Sequence, residues 1–397
     1  MADYQVVVVG GGNAGLSLTS YLLKRRSNLK VAVIEPSEKH YYQPAWTLVG
    51  AGEYDVQKTV RDVKDFIPDR AVWIKKSCVG FNPEANCVVL NDGSKISYEY
   101  LVVCPGIQLN WDEIKGLKET LGKNGVCSNY SFQTAPYTFE CIKNFKGGNA
   151  IFHSPHTAIK CGGAPQKIMY LAADYFRKHG ILERTNINYV SGGTRLFGVA
   201  KYEKTLLEVV KRYRIQLRFQ YKLIEINGEK HEATFVGIGT ENKDEFLLIK
   251  YDMIHVTPPQ SAPDFVRQSP LADEHGWVNV DKLTLQHRVY KNIFSLGDAA
   301  GLPTSKTGAA VRKQMPVVAA NLFALMDNKP FPTIYNGYSS CPIVTGYGKL
   351  VLAEFDYQNQ PMETFPFDQS KERTSMYWLK KYILPYLYWN KILTGKM

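Results

Sequence analysis

Tyr4-Gln5-Val6-Val7-Val8-Val9-Gly10-Gly11-Gly12-Asn13-Ala14-Gly15 decides the fold. The β-branched run from Tyr4 to Val9 is composed like a buried parallel strand. Gly10, Gly12 and Gly15 follow at once in the spacing G-x-G-x-x-G. Leu16, Leu18, Leu22 and Leu23 then predict a helix from Leu16 to Lys24. A second short strand, Val31 to Ile34, ends on Glu35, twenty residues after Gly15. Each part has a task in holding a dinucleotide. Gly10 makes the tight turn, Gly12 lets the backbone approach a pyrophosphate, and Gly15 lets helix and strand pack closely. The helix N-terminus faces the phosphates, and Glu35 accepts from a ribose hydroxyl. The glycine spacing alone is a weak signal; strand, glycines, helix, strand and acid together are a strong one.

The rest of the chain is read outward from this unit. At 397 residues it exceeds one core and predicts two or three domains. It is 45% hydrophobic and 21% charged, without repeats, which excludes a disordered or fibrous protein. No apolar run reaches the ~18 residues of a spanning helix. The first strand starts almost at once, so the chain is expected to begin in the cytosol or to have been processed. The net charge of +11 favours an anionic partner, or simply a solvated basic face. The seven cysteines contain no C-x-x-C pair, which excludes zinc-ribbon and thioredoxin-type chemistry. His153 and His156 have no further ligand at metal-site spacing; they read as loop histidines, and no metal is expected.

Asn292 to Asp298 reads as a strand closing on Gly297-Asp298, with a helix following from Thr307 to about Leu325. This resembles the late cofactor motif of flavoproteins with two dinucleotide-binding domains. The resemblance puts Asp298 on the ribityl chain of FAD, and Lys306 and the backbone near Gly308 beside the isoalloxazine ring. Tyr100 to Gly106 matches the strand and turn where such chains leave the FAD domain, Gly106 suiting a close backbone approach. Between these parts lies another βαβ pattern: a strand at Asn149 to His153, a helix from about Pro165 to Lys178, and a strand at Asn186 to Val190. Its turn, Ser154 to Pro165, is long and bulky where a second G-x-G-x-x-G would hold NAD(P)H. The second unit therefore reads as a scaffold without that site.

Two cysteines stand out. Cys161 lies just before the second helix, where the helix dipole and the flanking Lys160 and Lys167 favour a thiolate. Cys341 lies in a loop-like stretch, Tyr338 to Tyr347. They are 180 residues apart, and spacing does not show that they meet. The stretches Glu35 to Gly52 (EPSEKHYYQPAWTLVGAG), Cys161 to Tyr170 (CGGAPQKIMY), Leu302 to Thr307 (LPTSKT) and Glu363 to Arg373 (ETFPFDQSKER) are more specific. On them the chain resembles the eukaryotic-type (type II) sulfide:quinone oxidoreductases over nearly its whole length. The resemblance implies that Cys161 and Cys341 form the redox pair, with or without a bridging sulfur. It implies FAD as cofactor, sulfide and quinone as substrates, and a small sulfur acceptor such as glutathione, coenzyme A or sulfite. The FAD contacts it implies, beside the glycine loop, are Asn13, Ala14, Glu35, Pro36, Gln43, Cys78, Asp298 and Gly308.

Residues 371–397 hold six Lys/Arg against one acid, and six Trp/Tyr. Pro385 is expected to split this stretch into two short helices. A basic, aromatic, amphipathic segment suits a membrane interface, and equally a helix packed on the core or on a second copy of the chain. A quinone dissolved in lipid favours the membrane surface. The expected fold is α/β, with two Rossmann-like dinucleotide-binding domains and a C-terminal amphipathic membrane-associated segment. The FAD-binding domain is discontinuous, at 1–106 and 276–330. The second Rossmann-like domain takes 107–275, and the C-terminal region 331–397. A monotopic enzyme on a bacterial inner membrane is expected, with no nucleic-acid partner. Two other enzymes share much of this pattern: a type II NADH:quinone dehydrogenase, which needs a second glycine fingerprint, and a flavocytochrome-type sulfide dehydrogenase, which passes electrons to haem.

Overall fold

The computed structural model describes residues 2–397; Met1, with which the first expected unit begins, lies outside them. β1 (Tyr4–Val9) runs into α1 (Asn13–Arg25) and on to β2 (Val31–Ile34), which pairs parallel to β1 with Val6 opposite Val31. β3 (Ala71–Ile74) extends the sheet past β2. The hairpin of β4 (Cys78–Asn82) and β5 (Cys87–Leu90) leads into the long β6 (Lys95–Val103), parallel to β1 on its other side. Val6 to Val9 are at most 2% exposed, so each contributes roughly 1.5–3 kcal/mol by burial. That is why a run of four valines, hydrophobic on both faces, makes the central strand.

A second sheet comprises β7 (Val126–Cys127), β8 (Gly148–Ser154), β9 (Thr185–Ser191), β10 (Gln216–Phe219) and β11 (Met253–His255). Its order is β7-β11-β8-β9-β10 and every pairing is parallel. α2 (Ala164–Lys178) makes the crossing from β8 to β9. An antiparallel meander, Tyr221–Asn227, Glu232–Gly237 and Phe246–Lys250, shares the core of Ile151, Val190, Leu223, Phe235 and Ile254 with this sheet. The chain then returns to the first sheet. β12 (Ile293–Ser295) pairs parallel to β6, and α3 (Gly308–Met326) packs on α1 through Val311, Met315 and Leu322 against Leu18 and Leu22.

Three features differ from the sequence reading. Cys341 is not in a loop: it belongs to β13 (Ser339–Gly346), which pairs antiparallel with β14 (Lys349–Phe355), Cys341 opposite Ala353. The two strands are joined by Tyr347 and Gly348, the latter at φ 79, a two-residue hairpin turn that needs a left-handed residue. Ser, Pro and Gly in Ser339 to Gly346 disguise a strand whose partner supplies the apolar pattern. His153 is likewise no loop residue: it is buried inside β8, as the expected strand Asn149 to His153 implies. Finally, Pro385 does not divide the C-terminal segment. Helical turns continue from Thr374–Trp378 through Leu379–Ile383, Leu384–Leu387 and Tyr388–Ile392, the second and fourth being π turns. The widened turn before Pro385 absorbs its missing N–H. Among the described residues, no helix is long and apolar enough to cross a membrane.

Gly10 adopts φ 107, and a Cβ built on it lies 2.4 Å from the Cys104 carbonyl oxygen. Gly10→Ala is expected to destabilise the first sheet by roughly 2–4 kcal/mol, from backbone strain plus overlap, read as a lower urea midpoint.

Candidate active site

The cleft forms where the starts of α1 and α3 meet the ends of β1 and β6. Gly297 abuts Ala14, and Gly308 abuts Asn13. A Cβ added to Gly12 or Gly106 would meet nothing within 4 Å, so both face open space. At Gly15 it would strike the Gly10 carbonyl oxygen at 1.8 Å, which shows how tightly helix and loop pack. No side chain caps the start of α1, leaving its first amides for a ligand. Glu35 accepts from the Gly11 N–H at 2.7 Å and the Ser37 N–H at 2.8 Å, which fixes its carboxylate at the loop. Burial raises its pKa while those two bonds oppose the shift. This is a cradle for a dinucleotide, closed behind and open in front.

The other expected contacts take different places. Pro36 is exposed beside Glu35. Gln43, from the short turn Gln43–Ala45, accepts from Lys160 Nζ at 2.7 Å. Cys78 begins β4 with its thiol against the Gly80 carbonyl, its pKa pushed up to about 12 by burial. The Asp298 carboxyl is raised by burial, against the pull of Lys306 and Lys160. The Lys306 ammonium turns inward and donates to the carbonyls of Asp298 at 2.7 Å and Ala300 at 3.1 Å, over the Trp277 ring. Its side chain therefore shapes the cleft wall. Its backbone carbonyl accepts the Cys161 N–H at 2.7 Å, which ties the sulfur loop of the second unit to the rim of the first.

At that rim the two cysteines come together, with 3.7 Å between their sulfur atoms. Cys161 sits at φ 55, a strained conformation for a side-chain-bearing residue. Lys167, on the first turns of α2, donates from Nζ to the Cys161 sulfur at 3.0 Å. Asp174, seven residues further along the same helix, accepts from the Tyr347 N–H at 3.0 Å. One face of α2 thus grips the hairpin near the sulfur and at the turn. Hydrogen bonding from the Cys341 thiol holds Cys161 well below the usual thiol range; burial opposes this, and the charges of Lys167 and Lys380 add to it. The same contact and burial raise Cys341 well above that range. Of the two sulfurs, Cys161 is the one on which negative charge is favoured.

Sequence reasoning assigned Lys160 to this thiolate, and the structure gives it to Gln43 and the Asp298 side instead, with its pKa lowered to about 8 by burial. It missed Lys380. That residue comes from the C-terminal segment, is buried, and donates to the Pro44 carbonyl at 3.1 Å. Burial lowers its pKa to about 7, Lys167 adding to the shift and the two cysteines opposing it. Gly163 was also missed: a Cβ there would lie 2.6 Å from the Cys341 sulfur. The Gly162-Gly163 doublet beside a cysteine was the available signal; nothing near Lys380 in the sequence points to Cys161.

The crevice at the C-terminal ends of β8 and β9, where a nicotinamide cofactor would lie, survives as a cavity of about 510 Å³. Ser154, Gly162, Ser191, Gly193, Arg195 and Lys306 are among its lining.

Comparison with known proteins gives the family. The profile of the pyridine nucleotide-disulphide oxidoreductase family matches residues 4–146. A protein named mitochondrial sulfide:quinone oxidoreductase, from Dictyostelium discoideum, is 49% identical over 99% of this chain and 86% of its own. The chain belongs to the sulfide:quinone oxidoreductase family. The mouse protein of the same name is 46% identical, over 99% of this chain and 87% of its own. The X-ray structure of the sulfide:quinone oxidoreductase from the hyperthermophilic bacterium Aquifex aeolicus has a TM-score of 0.82 at 19% identity, covering 99% of this chain and 92% of that one, and speaks for the fold alone. Enzymes of this family are FAD-dependent flavoproteins, and the open, uncapped cradle at Gly12 fits that cofactor. These two relatives are named as mitochondrial, and the expected bacterial inner membrane finds no support in them.

Lys167→Met is expected to raise the Cys161 pKa. A lowered pKa keeps the thiolate present to lower pH, so removing the ammonium costs thiolate at neutral pH. Alkylation of the reduced enzyme at pH 7 should slow about tenfold, with the rate–pH profile displaced upward.

Proposed function

We propose that this chain oxidises sulfide at the Cys161–Cys341 pair and delivers the electrons through FAD to a quinone. The observation that carries the proposal is the two sulfurs 3.7 Å apart at the rim of the FAD cleft, beside a buried lysine 3.0 Å from one of them. HS⁻ attacks the Cys341 sulfur of the Cys161–Cys341 disulfide. The disulfide bond breaks, Cys341 becomes a persulfide, and Cys161 departs as a thiolate. Lys167 and Lys380 lower the cost of that departure. An acceptor thiol or sulfite then removes the outer sulfur, forming one bond to sulfur as another breaks, and leaves Cys341 reduced. When bound, FAD takes the electron pair released as the disulfide re-forms and supplies it to quinone.

The acceptor, glutathione, coenzyme A or sulfite, enters by the cavity at the ends of β8 and β9. Gly162 supports this route: its Cβ position faces open space, while that of the next residue, Gly163, faces the Cys341 sulfur. The FAD unit takes residues 1–106 and 276–330, the second unit 107–275, and the C-terminal region 331–397. That region lies on a membrane surface, for which Trp378, Tyr382, Ile383 and Tyr386 are exposed together on one segment. Quinone reaches FAD beside it, where Lys380 already touches Pro44 next to Gln43.

Anaerobic sulfide is expected to bleach the 450 nm flavin band within seconds, and NADH to leave it unchanged. Cys161→Ser and Cys341→Ser should each cut sulfide-dependent quinone reduction at least ~10³-fold. Bleaching by NADH alone, or full activity in both variants, would overturn the proposal.

A further inference from the structure

His40 plays no part in the sulfur chemistry, yet it is buried between the cofactor's phosphate loop and the C-terminal segment. It lies in the short strand Lys39–Tyr41 and is 4% exposed. Its Nδ1 is 3.3 Å from the Gly11 carbonyl oxygen, and its Nε2 is 2.6 Å from the Tyr388 hydroxyl. A carbonyl only accepts, so Nδ1 carries the proton and donates to Gly11; Nε2 then accepts from Tyr388. Burial lowers the His40 pKa to about 4, so the ring is neutral and this tautomer is the one that satisfies both partners. Gly11 is the residue whose N–H is held by Glu35, in the middle of the loop that faces the pyrophosphate.

The packing repeats the connection. His40, Tyr42 and Phe66 surround Tyr388 and Trp389, with the Tyr42 and Tyr388 rings 4.7 Å apart and Phe66 stacked on Trp389 at 5.3 Å. Leu393 offers its carbonyl to Ser20 Oγ at 2.8 Å, and Gly395 lies directly against the Ser20–Tyr21 backbone. Both contacts fall on α1, whose N-terminus faces the phosphates. The end of the chain therefore grips the cofactor loop through His40 and the cofactor helix through Ser20.

We propose that His40 is a positioning residue that transmits the seating of the C-terminal segment to the phosphate loop, so that retention of FAD depends on the Tyr388–His40–Gly11 connection. Removing the Tyr388 hydroxyl leaves the aromatic packing in place and deprives a buried acceptor of its only donor. The His40 ring keeps its Nδ1–H on Gly11 but loses the bond that holds its other edge, and the less firmly held loop retains FAD less well. The inference rests on the FAD reading but not on sulfide as substrate.

The test is FAD release from the holoenzyme, followed by the rise in free-flavin fluorescence after dilution, for wild type, Tyr388→Phe and His40→Asn. Tyr388→Phe is expected to release FAD about tenfold faster. The urea midpoint of its apoprotein should fall by clearly less than that of the holoenzyme, because the ring packing is kept and only the lost hydrogen bond counts in the apo form. His40→Asn should also release faster. Wild-type release should slow at least twofold on vesicles of phosphatidylcholine with one-third phosphatidylglycerol, a response Tyr388→Phe lacks. Release from Tyr388→Phe at the wild-type rate overturns the inference, as does an equal loss of stability in apo and holo forms, which marks a purely structural role. Failure of sulfide to bleach the flavin would sink the proposed reaction and leave these rates untouched.

Discussion

A sulfur of lowered pKa held beside two buried lysines is the constraint around which the rest of the molecule is arranged. Charge taken out of water is costly unless it is paired and hydrogen-bonded. The protein therefore has to bring Cys161, Lys167 and Lys380 to one place, and no single element does so. Lys167 comes from α2, Lys380 from the C-terminal segment, and the second sulfur from a hairpin on the far side of the helix. The two lysines differ in reserve. The cysteine sulfurs hold the Lys167 ammonium above its ordinary range, against the effect of burial, whereas Lys380 sits near 7. Only the first is firmly charged at neutral pH; the second can respond to what happens at the sulfur.

The second Rossmann-like unit has the form of a nucleotide-binding fold without its glycine turn. The parallel sheet, the crossing helix and the crevice at the strand ends all persist. The glycine turn has been replaced by a longer loop that carries Cys161 and is pinned by the Lys306 carbonyl. In the proposed reaction the electrons come by way of a sulfur held on that loop, and not from a ligand in the crevice. The scaffold thus sets where the chemistry occurs, and the loop sets what it is.

Much of this was legible in the sequence because it is local. The first βαβ unit, the return strand before Asp298 and the helix after Thr307 rest on periodicity and glycine spacing within short windows. Lys167 was legible too, six residues after Cys161 on the first turn of the helix that follows it. What escaped reading depends on contacts between distant segments. Cys341 lies in a strand only because Lys349–Phe355 folds back on it. Lys380 looked like an interruption of an apolar run, since its partner lies more than two hundred residues earlier. Lys160 was misassigned for the converse reason: it adjoins Cys161 in sequence, but the turn at φ 55 sends its side chain to Gln43. The pairing of Cys161 with Cys341 came from resemblance, which carries three-dimensional information that spacing lacks.

The two sulfurs are mounted differently. Cys341 is laced into a hairpin by cross-strand bonds and braced by α2 from Gly163 to Asp174. Cys161 sits in a bend rather than in a strand, tied by its own N–H to the Lys306 carbonyl and by the neighbouring Lys160 N–H to Gln260 Oε1. A change in the distance between them, as a bond between sulfurs opens, closes or admits another atom, costs fewer ladder bonds on the Cys161 side than in the hairpin. The pair works as a fixed jaw and a sprung one, and the spring is anchored to the rim of the flavin cleft.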